Sequence, residues 1–409
     1  MNDNSVVFKI QSFISILLLF CVIFDPTNQF LKIKIFVFIL FLIINIESIS
    51  FTYLPVILIF LFIFFVSLFF ALLTAQSIDF SRTTIILKAF FYLAYILYMK
   101  DTKLKNFKYF YYLTLLLSCF VIIIWILIFS FPILMTAVYA FVKAHNHFMM
   151  ISTRTFYGIR LYQVFYRTSP LCVISFSVAL LKYLREKNMK FLIHSLLFFF
   201  GLFCSGTRAN ILAVCLLLVS IFFIYKFYIK KEMLFSVSGF LLFSCLSLIV
   251  IIALLVEKED SAIVKAGHLS SYLELFRFAP MRFLLIGSGP GSLFYSRGIS
   301  DYIAYSELTY FDFIKDFGFL FTIILLFCFL YPILKCSLCA RYNISQKYCL
   351  CLSWVAYLFI AGTNPLLISS TGLVAYSMMF YAYSNDIFSE ISFISKKDKL
   401  FFNKSKRCI

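Results

Sequence analysis

Charged residues are scarce in this sequence. Only 13% of its 409 residues are Asp, Glu, Lys or Arg, whereas 63% are hydrophobic and the mean hydropathy is +1.00. A soluble domain of this size cannot bury so much apolar surface. The composition therefore excludes a soluble globular protein. It predicts an integral membrane protein built from helices of about 20 residues, which satisfy their own backbone hydrogen bonds in lipid.

Acidic residues are scarcer than basic residues, 18 against 36. The net charge is therefore +18. The basic residues cluster between alternate apolar segments, around residues 100–108, 182–190, 226–231, 335–347 and 396–407. Because basic loops stay on the cytoplasmic side, this pattern predicts that both termini are cytoplasmic. The net charge then reflects contact with anionic headgroups of membrane lipid, and nucleic acid is excluded as a partner. Lys32 and Lys34 lie in a predicted outside loop and are the local exception.

The apolar segments predict an all-α polytopic membrane protein with about twelve transmembrane helices. The predicted spans are 7–24, 35–50, 53–75, 84–99, 109–130, 169–184, 190–205, 209–228, 233–256, 317–334, 348–362 and 366–384. The second span is the weakest, because Asn45 and Glu47 interrupt it. No repeat or soluble segment divides the chain, so residues 1–409 form a single transmembrane domain. Two long outside loops remain, at approximately 131–168 and 257–316.

Cysteine is absent from both long loops, although the chain has 12 cysteines. This absence excludes a disulfide framework outside the membrane. The loops must therefore be held by packing against the helices. Long loops are also where function concentrates in such proteins.

Arginine is present in the first long loop, where topology disfavours it. Arg154, Arg160 and Arg167 lie among aromatic residues in "STRTFYGIRLYQVFYRTSP". A guanidinium matches paired phosphate oxygens, and aromatic faces suit sugars or lipid. The alternative is that these arginines reach the outer headgroup layer as simple anchors.

Another arginine on the predicted outside follows a tight turn in "CSGTRANIL", residues 204–212. Arg208 lies at a predicted helix N-terminus, where backbone N–H groups and the helix dipole favour an anion. The alternative is a simple turn whose arginine side chain reaches the headgroup layer at the edge of the membrane.

The second long loop contains "GSGPGS", preceded by a predicted helix over 262–279. The loop lacks the GK[ST] ending and the strand and helix context of a nucleotide-binding loop, so that interpretation is excluded. Its glycines allow a sharp bend and close approach to a ligand, which makes Gly289 and Gly291 candidate binding positions. His268 lies near the start of the helix.

Glu307 lies in "YSELTYFDFIKDFG", residues 305–318, just before an apolar span. A carboxylate at a membrane mouth could accept a proton from a sugar hydroxyl. It could equally be a helix N-terminal residue favoured by the dipole.

In order, "SGTRAN", "GHLSSYLELF", "GSGPGSLFYSRG" and "SELTYFDFIKDFG" resemble the bacterial O-antigen polymerase (Wzy-type) family and the related O-antigen ligases. The resemblance covers about residues 130–335. It implies a GT-C-like fold in the bacterial inner membrane. It also implies a glycosyltransferase that moves a glycan from undecaprenyl pyrophosphate onto the next lipid-linked repeat unit at the periplasmic face. Ligases carry a histidine followed by asparagine where this chain has "SELTY", which favours a polymerase.

The resemblance also implies roles for particular residues. Substrate-binding positions are Arg154, Arg160, Arg208, Arg277, Arg282, Gly289 and Gly291. The base is Glu307 or His268. Arginines can stabilise the departing pyrophosphate, so no metal or other cofactor is required. The expected partners are the undecaprenyl-pyrophosphate-linked oligosaccharide, a chain-length regulator and a flippase. The alternative functions are an O-antigen ligase and a lipid-linked oligosaccharide flippase.

Overall fold

Helices dominate the computed structural model, which describes residues 3–29, 31–74, 77–100, 104–145, 148–156, 159–229, 260–338 and 342–391. The helices are α1 (Asp3–Phe24), α2 (Lys34–Ile44), α3 (Leu54–Leu73), α4 (Phe80–Phe91), α5 (Asn106–Ser130), α6 (Leu134–Ala144), α7 (Cys172–Glu186), α8 (Met189–Cys204), α9 (Arg208–Ile224), α10 (Asp260–Phe278), α11 (Pro280–Leu285), α12 (Thr309–Leu338), α13 (Ile344–Gly362), α14 (Ser370–Ser384) and α15 (Ile387–Ile391). The strands are β1 (Met149–Phe156), β2 (Ile159–Tyr166), β3 (Phe294–Ser296) and β4 (Asp301–Ile303).

Seven helical segments of the described residues are long and apolar enough to cross a membrane. They are Val6–Phe24, Phe51–Leu73, Phe80–Tyr98, Asn106–Ser130, Arg208–Phe227, Thr309–Lys335 and Ile344–Gly362. The chain is therefore a multi-pass membrane protein. The predicted spans 169–184, 190–205 and 366–384 correspond to helices of 15, 16 and 15 residues. At about 1.5 Å per residue these fall short of a hydrocarbon core of about 30 Å. The predicted span 233–256 lies outside the described residues.

Two predicted spans have different ends in the structure. The predicted 35–50 helix ends at Ile44, because the side chain of Asn45 donates to the Phe41 carbonyl at 2.9 Å and a 3₁₀ turn follows. The predicted 317–334 helix matches the part of α12 that follows the non-helical Gly318, but another helical segment, which begins at Thr309, precedes it. That segment contains ionic residues that neighbouring groups partner, so they do not prevent helix formation.

Two short antiparallel hairpins lie within the predicted long loops. In the first loop, β1 pairs with β2 along eight residues, from Met149 opposite Tyr166 to Phe156 opposite Ile159. In the second, β3 pairs with β4. The predicted 262–279 helix is confirmed as α10. These loops are thus built from regular elements that pack on the helices.

The predicted outside connections meet at one end of the bundle. Thr168, after β2, donates to the Ile23 carbonyl at the end of α1, at 2.7 Å. Thr309 donates to the Asn364 carbonyl between α13 and α14, at 2.8 Å. We call this the loop end; it comprises residues 25–34, 77–83, 163–171, 205–208, 286–309 and 362–370. The predicted cytoplasmic connections, which contain the clusters of basic residues, lie at the opposite end, which we call the basic end. There the Lys182 Nζ donates to the Phe388 carbonyl at 2.7 Å.

Lys34, the exception to the charge pattern, has a structural role at the loop end. It is only 4% exposed. Its Nζ donates to the carbonyls of Asp25 and Pro26, at 3.1 and 2.7 Å, and to the Ser370 hydroxyl at 3.1 Å. The ammonium satisfies acceptors left at the end of α1 and ties them to the start of α14. The charge of Lys34 therefore has a structural role, and it does not indicate on which side of the membrane this loop lies.

Candidate functional site

The glycine loop, residues 286–292, docks on a break in α12. Gly318 has φ +81° and ψ +163°, so the helical hydrogen bonding of α12 is interrupted there. The loop supplies the missing donors. The Ser288 N–H donates to the Lys315 carbonyl at 2.6 Å, and the Gly289 N–H donates to the Asp316 carbonyl at 2.9 Å. The loop therefore caps the first segment of α12, where carbonyls would otherwise lack partners.

Glycine is required in this loop by backbone conformation and by space. Gly289 and Gly291 have φ of +90° and +83°. A Cβ on Gly289 would lie 2.3 Å from the Ala71 Cβ of α3. A Cβ on Gly291 would lie 2.4 Å from the Thr83 Oγ1 of α4. The close approach predicted for these glycines is thus made to α3 and α4, and a role in binding a ligand stays a prediction.

The same loop fixes the start of α4. The Thr83 hydroxyl donates to the Pro290 carbonyl at 2.8 Å, and the Asp79 N–H donates to the Gly291 carbonyl at 2.8 Å. Asp79 caps α4 by accepting from the Ser81 N–H at 2.9 Å. Hydrogen bonding from Ser81 lowers the pKa of Asp79, which keeps the cap ionised. These contacts position Arg82 in the first turn of α4.

Arg82 faces the broken helix across a small cleft. The cleft is lined by Arg82, Ile86, Thr309, Asp312, Phe313, Asp316, Pro365 and Ile368. One guanidinium and two carboxylates thus meet in this cleft, whose other walls are apolar apart from Thr309. Ionisable groups in a membrane-spanning helix are costly, so their convergence indicates a functional site.

Lys315 lies between the two carboxylates and is fully buried. Its Nζ donates to the carbonyls of Ser292 and Ala304, each at 2.7 Å. The same atom lies 2.8 Å from the Asp316 Oδ1. The ammonium therefore joins α12 to the loop on both sides of the β3–β4 hairpin. Its charge offsets that of a neighbouring carboxylate, which a buried pair requires.

Asp312 is held by donors from two elements. Its Oδ1 accepts a short hydrogen bond from the Tyr272 hydroxyl of α10. The Ser306 N–H donates to both carboxylate oxygens, at 3.2 and 3.0 Å. Burial and the Asp312 charge raise the pKa of Tyr272 above its usual range, so the phenol remains a donor. Asp312 thereby fixes α10 against α12.

An aromatic ring orients the arginine of the cleft. The Arg82 guanidinium lies 4.2 Å from the centroid of the Tyr305 ring, a cation–π distance. Arg167, which follows β2, interacts electrostatically with the same tyrosine: desolvation lowers the pKa of Arg167, and Tyr305 opposes that shift. One arginine of the first long loop is therefore within electrostatic range of the residue that Arg82 contacts.

The two predicted bases are close together beside α10. Glu307 is 54% exposed and pairs with Lys265, with Oε2 3.1 Å from Nζ. His268 is buried, and its Nδ1 lies 2.6 Å from the Ser296 hydroxyl. Burial lowers the pKa of His268, the Glu307 charge opposes this shift, and Lys265 adds to it. Neither predicted base lines the cleft.

The predicted arginines of the first loop and of the turn before α9 occupy separate places. Arg154 and Arg160 lie near the turn of the β1–β2 hairpin, opposite Leu161 and Thr155 respectively. Arg208 is the first residue of α9, where Thr207 caps the helix. The preceding Gly206 packs against Gln163 of β2, so this turn touches the hairpin. The predicted helix N-terminus at Arg208 is confirmed.

The arginines of the second loop have different environments. Arg277 is exposed on α10. Glu274, three residues before Arg277 on the same helix, pairs with Arg297, at 2.6 Å. The Arg282 Nε donates to the Gly287 carbonyl at 3.0 Å, so Arg282 supports the glycine loop. These placements do not test the predicted contacts with a substrate.

Sequence reasoning missed Arg82, Tyr272, Lys315 and the two aspartates of α12. A signal was available, because "FDFIKDFG" places three ionisable residues in an otherwise apolar segment. Within the described ranges, no three His, Cys, Asp or Glu side chains are grouped as a metal site. No family model matches the chain, and neither curated proteins nor solved structures give a match.

Proposed function

We propose that this chain is a glycosyltransferase that polymerises a lipid-linked surface polysaccharide at the loop end of its bundle. In the proposed reaction, a glycan leaves undecaprenyl pyrophosphate and is joined to the next lipid-linked repeat unit. The observation that carries the proposal is the cleft in which Arg82 of α4 faces the carboxylates of Asp312 and Asp316.

The chemistry of the reaction suits this set of groups. The donor sugar has an activated leaving group, so the enzyme must stabilise charge on the departing diphosphate and remove a proton from the acceptor hydroxyl. Guanidinium groups serve the first purpose, and their planar fork matches phosphate oxygens. Arg82 is held by its ring contact with Tyr305, and Arg167 interacts electrostatically with the same tyrosine. A carboxylate serves the second purpose.

The location of the cleft also suits a lipid-linked substrate. It lies at the loop end, close to the start of the long apolar segments Phe80–Tyr98 and Thr309–Lys335. A prenyl chain in the bilayer would place its diphosphate at this depth, with the sugars beyond the headgroups. On this proposal the protein is in the bacterial inner membrane with both termini cytoplasmic, and it works with a flippase and a chain-length regulator.

A lipid-linked oligosaccharide flippase is the second candidate, and the break in α12 favours it. Discontinuous helices with buried ionisable residues form the substrate and ion sites of many transporters. Here Asp312, Lys315 and Asp316 precede the break at Gly318. However, all four lie within the first ten of the 27 residues of Thr309–Lys335, near one end of the span. Transporter sites lie near the bilayer midplane, so we favour the transferase.

Purified protein in vesicles with the lipid-linked repeat unit distinguishes these functions. We expect lipid-linked chains of two or more repeats, seen as a ladder after electrophoresis. Transfer of the glycan to lipid A would instead support an O-antigen ligase. Movement of the repeat unit across the bilayer without a new glycosidic bond would support the flippase.

A further inference from the structure

The geometry points to Asp316 as the group that accepts the proton of the acceptor sugar hydroxyl. This inference rests on the proposed transferase function and deepens it. It replaces both Glu307 and His268 as the base. It also assigns the cleft between α4 and α12 as the place where the acceptor hydroxyl binds.

Asp316 is a buried carboxylate with spare capacity to accept hydrogen bonds. The residue is 5% exposed. Its Oδ1 lies 2.8 Å from the Lys315 Nζ, and within the described part of the chain no backbone N–H or hydroxyl donates to this carboxylate. An ionised carboxylate has about four acceptor sites, so one ammonium leaves sites for a donor from outside the protein. A sugar hydroxyl in the cleft is a donor of that kind.

Asp312 lines the same cleft but is already engaged. The Tyr272 hydroxyl and the Ser306 N–H occupy its two oxygens. Taking up a proton would weaken the contacts that join α10 to α12. Asp312 is therefore a positioning residue, whereas Asp316 retains the capacity to bind a hydroxyl and take its proton.

The neighbours of Asp316 suit it to this role. Lys315 is fixed by the carbonyls of Ser292 and Ala304, so its charge stays beside Asp316 and supports the ionised form. Arg82 lines the cleft on the facing helix. A base and a cation that can hold the departing diphosphate are thereby separated only by the width of the cleft.

The predicted bases lack this arrangement. Glu307 is more than half exposed and is paired with Lys265. His268 is buried with its Nδ1 against Ser296. Both lie on the α10 side of the loop end, and the cleft that contains Arg82 does not include them.

The bonds and the proton of the transfer step are all accounted for by the donor, the acceptor and Asp316. The acceptor hydroxyl oxygen forms a bond to the anomeric carbon of the donor sugar. The bond from that carbon to the pyrophosphate oxygen breaks, and the pyrophosphate departs with the electron pair. The hydroxyl proton passes to the Asp316 carboxylate, which later releases it to water.

The test compares elongation and binding in Asp316→Asn. Reconstituted wild-type protein and the variant are each given the lipid-linked repeat unit, and initial elongation rates are measured together with the equilibrium affinity for that unit. We expect elongation to fall by about 10²–10⁴-fold, while affinity changes by less than about threefold. Asp301→Asn, an exposed aspartate of β4, is the matched control and should elongate at the wild-type rate.

A second variant guards against misfolding. Asp316→Asn leaves the buried Lys315 without its carboxylate, so the double variant Lys315→Gln with Asp316→Asn removes both charges. Folding is checked by thermal unfolding in detergent. Elongation by either folded variant within about threefold of wild type would overturn the assignment of Asp316. No elongation by the wild-type protein would instead refute the proposed function itself.

Discussion

Arg82 of α4 places its guanidinium 4.2 Å from the centroid of the Tyr305 ring, and the same arginine lines a cleft with Asp312 and Asp316. The contact fixes the plane of the guanidinium. It leaves the edges of the fork to meet an anion, which is the arrangement that paired phosphate oxygens require. A membrane helix, a loop and a broken helix thus contribute to one site.

Replacing Arg82 with lysine tests the role of the fork. Lysine keeps the charge but loses the planar donors and the ring stacking. We expect elongation of the lipid-linked glycan by reconstituted protein to fall by about 10–100-fold. Lys88→Gln, on an exposed position of the same helix, is the control and should elongate normally. Normal elongation by Arg82→Lys would show that the stacked guanidinium is not needed.

Gly289→Ala tests the docking of the glycine loop. Alanine at φ +90° is strained, and its Cβ would clash with Ala71 on α3. We expect a loss of about 2–4 kcal/mol in the free energy of unfolding, measured as a lower unfolding temperature in detergent. Ile299→Ala, at an exposed position after β3, should change stability little. An unchanged unfolding temperature in Gly289→Ala would contradict the observed packing.

Lys34→Met tests whether this lysine is structural. The substitution leaves the carbonyls of Asp25 and Pro26 and the Ser370 hydroxyl without their shared donor. We expect a loss of about 2–4 kcal/mol, because buried acceptors remain unsatisfied. Lys32→Met removes an exposed charge from the same loop and serves as the control. Equal unfolding temperatures for the two variants would contradict the structural role.

The sequence predicted the long apolar helices well, because hydropathy reports directly on a single segment. It predicted α10 for the same reason, from the spacing of apolar residues within one helix. The early start of α12 was not predicted, since a span containing Asp312, Lys315 and Asp316 is stable only with partners from elsewhere in the chain. Patterns within one segment cannot reveal those partners.

The candidate site was harder to predict for a related physical reason. Arg82, Arg167, Tyr305 and Asp316 come together only when α4, the end of β2, the second loop and α12 pack at the loop end. Because these residues are far apart in the sequence, no local pattern shows that they lie together in the fold. The glycine loop was recognised as unusual, but its tight approach to α3, α4 and α12 depends on tertiary packing that no local motif encodes.

The environment of His268 predicts a pH dependence of stability. Burial lowers its pKa below the ordinary value of 6.5, so the folded protein binds fewer protons at this site than the unfolded chain does. Stability therefore increases with pH across the window from the folded-state pKa up to about 6.5, and it falls on acidification. We expect unfolding temperatures measured between about pH 5 and 8 to show this decline.

His268→Gln should reduce that acid-side decline, because glutamine does not titrate. Glu307→Gln should make it steeper, because the Glu307 charge opposes the lowering of the His268 pKa. A pH profile that is the same in wild type and His268→Gln would contradict this assignment.

The proposed function requires both long loops and the turn at Arg208 to lie on one side of the membrane, the side on which the cleft between α4 and α12 lies. Single cysteines at Arg208 and Ile299, in a chain whose accessible native cysteines have been replaced, can be labelled in intact cells with a membrane-impermeant thiol reagent. Met189, exposed at the basic end, provides the opposite-side cysteine. We predict that positions 208 and 299 are labelled from outside and that position 189 is protected. Labelling of positions 208 and 299 from opposite sides would show that the Arg208 turn and the second long loop do not share a side of the membrane.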